Sequence, residues 1–469
     1  MTNKVLTIFF LLMSFTGFAQ EKNYNFSLDE AIAFALENNY TAINSSRDVE
    51  AAEKQKWETT ATGLPQINAS VEYQNFLKQV VSLLPAAAFD PLTGIRELED
   101  YYDLDPVQIQ ELPAAPDGFI PVTFGTKQTV NASVTLSQLI FDGSYIVALQ
   151  ASKVFTQYSQ NLKDKTDLEV RKAVINAYGS VLLSQESVAI LEKNKANLEK
   201  NLFETRETFK NGLTEEENVE QLQITLANVE SSLKNNERLT KISRQMLNLT
   251  LGIDINSNTS LTDDLNSLAV QNIQPRLLAA ELSMDNNIDY RIAENFSEQR
   301  RLELKNEKAK ALPSLSGFLN AGYTGNNDNF EFLNRDQQWF GSALIGVNLN
   351  IPIFSSFGRA AKTQRAKIAY DQANTLLTEK TQQLRLETES AKSNYIFAID
   401  QYETSKQNLV LAERIEKKNQ TKFTEGIASS FELRQAQTQL YSAQQEYLQA
   451  MLDVINNKAN LETILNHVK

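Results

Sequence analysis

The sequence predicts a mixed α and β membrane protein laid out as two tandem copies of one plan. Three observations carry this: stretches of strict apolar and polar alternation about ten residues long, very long polar helices with heptad seams, and junction motifs that occur twice in the same order. Composition sets the frame. Of 469 residues, only 16 are Gly and 10 are Pro, in a chain rich in Glu, Gln, Asn, Lys, Ala and Leu, which is the usage of long helices. A formal charge of −13 argues against nucleic acid as a partner. There is no Cys and a single His, His467, so thiol, Cys/His metal and histidine general-base chemistry are excluded, and the scattered carboxylates single out no catalytic pair. No enzyme activity, cofactor or metal is expected.

The first element is "MTNKVLTIFFLLMSFTGFAQ". One Lys, an apolar run from Val5 to Phe15 and small residues at Gly17 and Ala19 match a secretory signal peptide over residues 1–19. Ser27 with Glu30 then forms a capping box for a helix running to about Gly63. Leu64-Pro65 opens the first strand, 66–76, where Ile67, Ala69, Val71 and Tyr73 alternate with Gln66, Asn68, Ser70 and Glu72. An insertion at 77–126 holds six of the ten prolines and eight acidic against two basic residues, the composition of a surface loop. The second strand, 127–141, places Val130, Ala132, Val134 and Leu136 on one face and Asn131, Ser133, Thr135 and Ser137 on the other. A long helix at 144–209 follows, with Val174, Val181 and Val188 spaced by seven and Tyr178, Leu191, Leu198, Leu202 and Phe209 filling the seam. At 1.5 Å per residue it would span roughly 100 Å, too long to wrap a compact core. "FKNG" turns the chain into a helix over 215–251 that completes the first copy, residues 20–254, and a polar equatorial linker at 255–274 follows it.

The second copy, residues 275–469, repeats the plan: a helix ending near Ala311, strands near 314–324 and 339–353, and helices near 359–424 and 429–466. Leu64-Pro65 recurs as Leu312-Pro313, 248 residues on, whereas Phe141 recurs as Phe354, 213 on, and "FKNG" as "FTEG", 214 on. The drop in spacing means that the first copy carries about 35 extra residues between its strands. The third strand puts Leu315, Leu319 and Tyr323 on one face; the fourth alternates Ile345, Val347, Leu349, Ile351 and Ile353 with Gly346, Asn348 and Asn350. Gly212 and Gly426 sit at the two helix reversals, where a positive φ is needed.

Strands of this length and alternation suit either a transmembrane barrel, apolar face to lipid, or a soluble sheet resting on a core. The export signal, the lack of another apolar layer to cover the strands, and the helices' commitment to one another favour the bilayer. Ile67, Val71, Tyr73, Val134, Leu136, Leu315, Leu319, Val347 and Leu349 are then the expected lipid-facing residues. Four strands cannot close a barrel and open edges are not tolerated in hydrocarbon, so the chain must oligomerise. An exported periplasmic coiled-coil scaffold with no channel activity is the alternative.

Paired "LP" strand openings, "FDGS" and "FSSFG" at the strand-to-helix junctions, and F-x-x-G turns, the second followed by "ELRQAQTQL", resemble the TolC family of outer-membrane efflux proteins over essentially the whole mature chain. The resemblance implies a homotrimer in the outer membrane of a Gram-negative bacterium. Three chains would give one twelve-stranded barrel, continued through the periplasm by a long α-helical barrel. The implied function is a passive exit duct for efflux or type I secretion, docked through a periplasmic adaptor (membrane fusion) protein to an inner-membrane RND-type or ABC-type pump. It places Phe209, Gly212, Phe423 and Gly426 at the periplasmic tip turns where the adaptor docks. It also places Glu217, Asn218, Glu432 and Gln435 at a tip gate: Glu432 matches an acidic ring position, Gln435 replaces the acid of a second, and Glu217 and Asn218 fall where link partners would be. Phe423 stands where Tyr is common, and Ala428 where a linking Arg can be.

Overall fold

The capping box at Ser27 is present in the computed structural model, which describes residues 23–102 and 116–466. The expected leader, residues 103–115 of the insertion and His467 lie outside the described residues. In chain order the elements are β1 (Tyr24–Phe26), α1 (Leu28–Asn38), α2 (Tyr40–Ala61), β2 (Gln66–Asn75), β3 (Val81–Pro85), α3 (Thr93–Tyr102), β4 (Phe119–Thr123), β5 (Gln128–Asp142), α4 (Gly143–Lys210) and α5 (Glu216–Leu251). They continue with β6 (Thr259–Leu261), α6 (Leu265–Gln271), α7 (Ile288–Ala309), β7 (Ser314–Asn327), β8 (Trp339–Asn350), α8 (Gly358–Thr424) and α9 (Ser430–Leu465). The four strands and four long helices therefore fall where the alternation and the seams put them, with the fourth strand ending three residues early, ahead of Pro352. Proline has no N–H for a ladder bond.

The chain divides into two units. One comprises Trp57–Leu149 and Asn306–Arg359; the other comprises Gln150–Lys305, Ala360–Lys469 and the residues up to Lys56.

The helical unit is built on the heptad seam. Val174, Tyr178, Val181 and Leu198 are fully buried, Leu191 and Leu202 nearly so, whereas Phe209 at the far end is exposed. By composition α4 contains an eighteen-residue window apolar enough to cross a membrane, and half of that window is buried, as the core helix of a bundle requires. The sequence predicts one helix from Ser27 to about Gly63; instead the chain breaks at Asn39. The Asn39 side chain accepts the Thr41 N–H at 2.8 Å and donates to the Thr250 carbonyl at 2.7 Å, so it caps α2 and ties it to the end of α5. Gly252 ends α5 in the left-handed conformation (φ 81°), and a Cβ there would sit 2.0 Å from the Asn38 carbonyl oxygen. The break is thus the seat for the α5 terminus.

The linker also holds structure that its polar composition concealed. Its β6 pairs in parallel with β1, and α6 buries Leu265, Leu268 and Ala269. Tyr178 anchors this region: its hydroxyl lies 3.0 Å from the Phe26 carbonyl and 2.8 Å from Asp263, whose carboxylate also accepts the Leu28 N–H at 2.8 Å. Burial pushes this phenol well above its ordinary range.

The sheet unit holds one four-stranded antiparallel sheet in the order β2-β5-β7-β8, and the insertion adds a separate hairpin, β3 with β4. Tyr145 donates to the Thr60 carbonyl at 3.0 Å while its ring fills the space a Cβ on Gly63 would need. The first turn of α4 is thereby stitched to the last turn of α2.

Candidate functional site

The register of the sheet decides which side chains share a face, because the pleat alternates them. Ile67 pairs with Leu136, Leu136 with Leu319, and Leu319 with Ile345. Ala69, Val134, Ala321 and Ala343 form the next row, and Val71, Ala132, Tyr323 and Gly341 the one after. Val347 lies opposite Gly317 and Leu349 opposite Leu315. All nine residues expected on the apolar face, Ile67, Val71, Tyr73, Val134, Leu136, Leu315, Leu319, Val347 and Leu349, are brought to one side. Seven of the nine are exposed, among them Ile67 at 71% and Val71 at 76%, whereas Leu136 and Leu315 are half-buried and Tyr73 packs edge-on against Phe330 and Phe332. A slip in register between Leu139 and Phe141 is a bulge, and it puts Ile140 over Gly317 while Phe141 pairs with Leu315.

The opposite face is a ladder of polar side chains. Ser70 and Ser133 hydroxyls meet at 3.1 Å, Asn320 donates to Thr135 at 2.7 Å, Thr324 to Asn131 at 2.8 Å, and Thr129 to Asn326 at 3.1 Å. Such bonds pin register as well as satisfying the face. The polarity fails toward β8, where Phe318, Phe340 and Leu344 intrude; Phe318 lies over Gly346, where a Cβ would come within 2.5 Å of its ring. Both edge strands are open. Every residue of β2 is exposed, and so is every residue of β8 except Gly346.

In the helical unit the two reversals are copies of one motif. The Gly212 N–H bonds to the Phe209 carbonyl at 2.8 Å and the Leu213 N–H to Thr208 at 3.1 Å; the Gly426 N–H bonds to Phe423 at 3.0 Å and the Ile427 N–H to Lys422 at 2.8 Å. This is the Schellman pattern, with the glycines at φ 67° and 72°. Its usual apolar contact is missing here: Leu213 and Ile427, the residues that normally fold back onto the helix, are 78% and 72% exposed. The two phenylalanines differ, since Phe423 packs on the cluster of Leu198, Leu202, Val219 and Leu222 while Phe209 faces solvent.

Glu432 is engaged locally. It is the N3 residue of a capping box on Ser429, whose N–H donates to its carboxylate at 2.8 Å, and this hydrogen bonding holds the carboxyl below its ordinary range. Asn218 donates to Thr214 at 2.8 Å, and Glu217 accepts from Gln221 at 2.9 Å. Gln221 in turn accepts from buried Ser430 at 3.2 Å, which joins the starts of α5 and α9. Gln435 is exposed. Among the described residues no group of three or more acidic or His side chains could hold a metal.

The model for the outer membrane efflux protein family matches residues 280–467. Outer membrane protein TolC of Vibrio cholerae serotype O1 is 23% identical over 339 residues, which cover 70% of this chain and 74% of that protein. The second copy of the plan thus matches the outer membrane efflux protein family, and the chain is similar to TolC. The fold extends over both copies: CusC superposes with a TM-score of 0.69 at 17% identity, covering 94% of this chain and 92% of its own. VceC of Vibrio cholerae matches at 0.67 and 14% identity over 93% and 95%, and the open-state MtrE channel of Neisseria gonorrhoeae at 0.67 and 15% over 93% and 88%.

Three features are not predicted from the sequence. Leu213 and Ile427 are the first, and the signal for them is an apolar residue just after each turn glycine. Phe340 and Leu344 broke an alternation traced only from Ile345 onward. Asn201 and Gln420 carry no sequence signal, since a reciprocal amide pair between α4 and α8, both bonds 2.9 Å, exists only once the helices pack.

Proposed function

We propose that this chain is the passive exit duct of a tripartite efflux or type I secretion system. One observation carries the reading most: a sheet with a largely exposed apolar face and two unpaired edges. In water that combination is an aggregation site; in a bilayer it is a barrel segment that needs copies of itself to close. Three chains joining β2 of one to β8 of the next give a twelve-stranded barrel, its polar ladder turned to a water-filled lumen. Exposed apolar residues along α8, among them Leu386 and Phe397, support a helical barrel formed with neighbouring chains in the periplasm.

The tips are the proposed docking end. Leu213, Ile427 and Phe431 with Phe209 offer exposed apolar anchors for a helical adaptor that couples the duct to an RND-type or ABC-type pump. Three copies of Glu432 at the aperture favour cations, helped by a carboxyl that stays ionised. Glu217, Asn218 and Gln435 complete that gate. The insertion 77–126, between two membrane strands, is the proposed extracellular mouth.

The test is fractionation of cells expressing the full chain. A detergent-stable trimer in the outer membrane that shifts in migration on heating, with loss of export on deletion, is the expected result. A soluble monomer in the periplasm would eliminate the duct and leave the coiled-coil scaffold.

A further inference from the structure

A groove of about 740 Å³ opens in the helical unit between α5 and α9, with α4 as its floor. The two flanking helices begin side by side, where Ser430 donates to Gln221 at 3.2 Å, and both run away from the reversals, so the walls are parallel. One wall holds Thr225, Asn228, Ser232 and Asn236 of α5, the other Thr438, Ser442 and Gln445 of α9. Spacings of three and four keep each stripe on one helix face, over about 16 Å at 1.5 Å per residue.

These stripes are polar but almost without charge. The acids and lysines of α5, among them Glu220, Glu230, Lys234 and Glu237, lie off the groove, and Arg434 and Glu446 stand at its two ends. A helix face turned to water gathers charge, and one turned to another helix gathers apolar side chains. Neutral amides and hydroxyls fit neither. The floor is fixed and partly apolar: the buried Asn194 amide donates to Gln444 at 2.9 Å, which orients both, and buried Leu191 and Val229 lie beside half-buried Tyr441. Burial pushes the Tyr441 phenol well above its ordinary range, so it stays a donor. Among the described residues, the side chains of Asn228, Ser232, Ser442 and Gln445 have no hydrogen-bond partner.

The lining discriminates between occupants. A docked helix would cover these amides and hydroxyls with apolar side chains and leave them unsatisfied. An anion would find a single guanidinium, already stacked on the Phe431 ring at 5.3 Å, and a metal ion a single carboxylate. A ring bearing hydroxyls and an acetamido group suits every part. Its hydroxyls face Ser and Thr, its amide pairs with Asn or Gln as Asn194 pairs with Gln444, and its methyl and C–H face rest on Leu191, Val229 and Tyr441. We propose that this groove binds a neutral glycan strand of N-acetylated hexosamines, laid along α5 and α9 with acetamido groups toward the floor. The site needs neither a trimer nor a bilayer, so it goes beyond the duct reading and stands or falls separately from it.

The test is calorimetric titration of the full-length protein, in a detergent without a sugar headgroup, with chitotetraose, a β-linked tetramer of N-acetylglucosamine. Saturable binding is expected, with cellotetraose, which lacks the acetamido groups, at least about tenfold weaker. Ser232→Arg/Ser442→Arg narrows the groove from both exposed walls and should weaken chitotetraose at least about tenfold, whereas Gln439→Arg, exposed on α9 but off the groove, should not. Affinity should also rise severalfold from the disaccharide to the tetrasaccharide; equal affinity would overturn the strand. A second readout does not depend on the arginine variant folding. The chain has no Cys, so Ser442→Cys supplies a lone thiol whose reaction with a maleimide should slow severalfold in chitotetraose and not in cellotetraose. No saturable binding, equal affinity for the two tetrasaccharides, or an unprotected thiol would overturn the site.

Discussion

Gly252 and Gly426 share a left-handed backbone, but the space around them differs completely. A Cβ at Gly426 meets nothing within 4 Å, whereas one at Gly252 would lie 2.0 Å from the Asn38 carbonyl oxygen. Gly426→Ala therefore pays only the conformational penalty, about 1 kcal/mol, while Gly252→Ala adds an overlap with backbone that cannot rotate away, raising the cost to about 3 kcal/mol. Thermal unfolding of the detergent-solubilised protein should show Gly252→Ala losing several degrees more than Gly426→Ala; equal losses would mean the α1–α2 break yields to α5. The sequence showed the tip glycines plainly, because each follows a helix and is duplicated with its Phe. Gly252 stands there just ahead of a polar linker, and its contact with Asn38 is visible only after folding.

At the scale of elements, what the sequence disclosed is what local periodicity can carry. The seam of α4, the alternation of β2 and β5, and the capping box at Ser27 depend on neighbours within a turn or two, and each is present. Pairings across long separations were hidden, such as β1 with β6 over more than two hundred residues, or the hairpin inside the proline-rich insertion. The amide pair between Asn201 and Gln420 belongs to this second kind, and it makes α4 and α8 test each other. Asn201 is buried, so Asn201→Leu strands the Gln420 amide and should cost about 1–3 kcal/mol. Asn201→Leu/Gln420→Leu removes both polar groups at once and should return to within about 1 kcal/mol of the parent. Chemical denaturation of the single and double variants measures the coupling; simple addition of the two single losses would show that the pair is incidental.

For the whole molecule, one property of the sheet unit governs assembly: which face is wet. Register places Val71 in a row with Ala132 and Tyr323, and its neighbour Ser70 in a row with Ser133 and Gly322, on opposite sides of the same exposed edge strand. A soluble sheet of this kind would treat a charge at either position alike, since both faces are open in the isolated chain. A barrel would not. An arginine near the bilayer midplane costs about 2–4 kcal/mol on the lipid side, whereas on the lumen side it meets water. Val71→Arg should thus deplete the proposed heat-modifiable trimer severalfold, and Ser70→Arg should leave it near the wild-type level, as read from outer-membrane fractions run with and without boiling. Reversed effects would exchange the two faces. Equal effects would take the sheet out of the bilayer altogether, and with it the reason for three chains to meet.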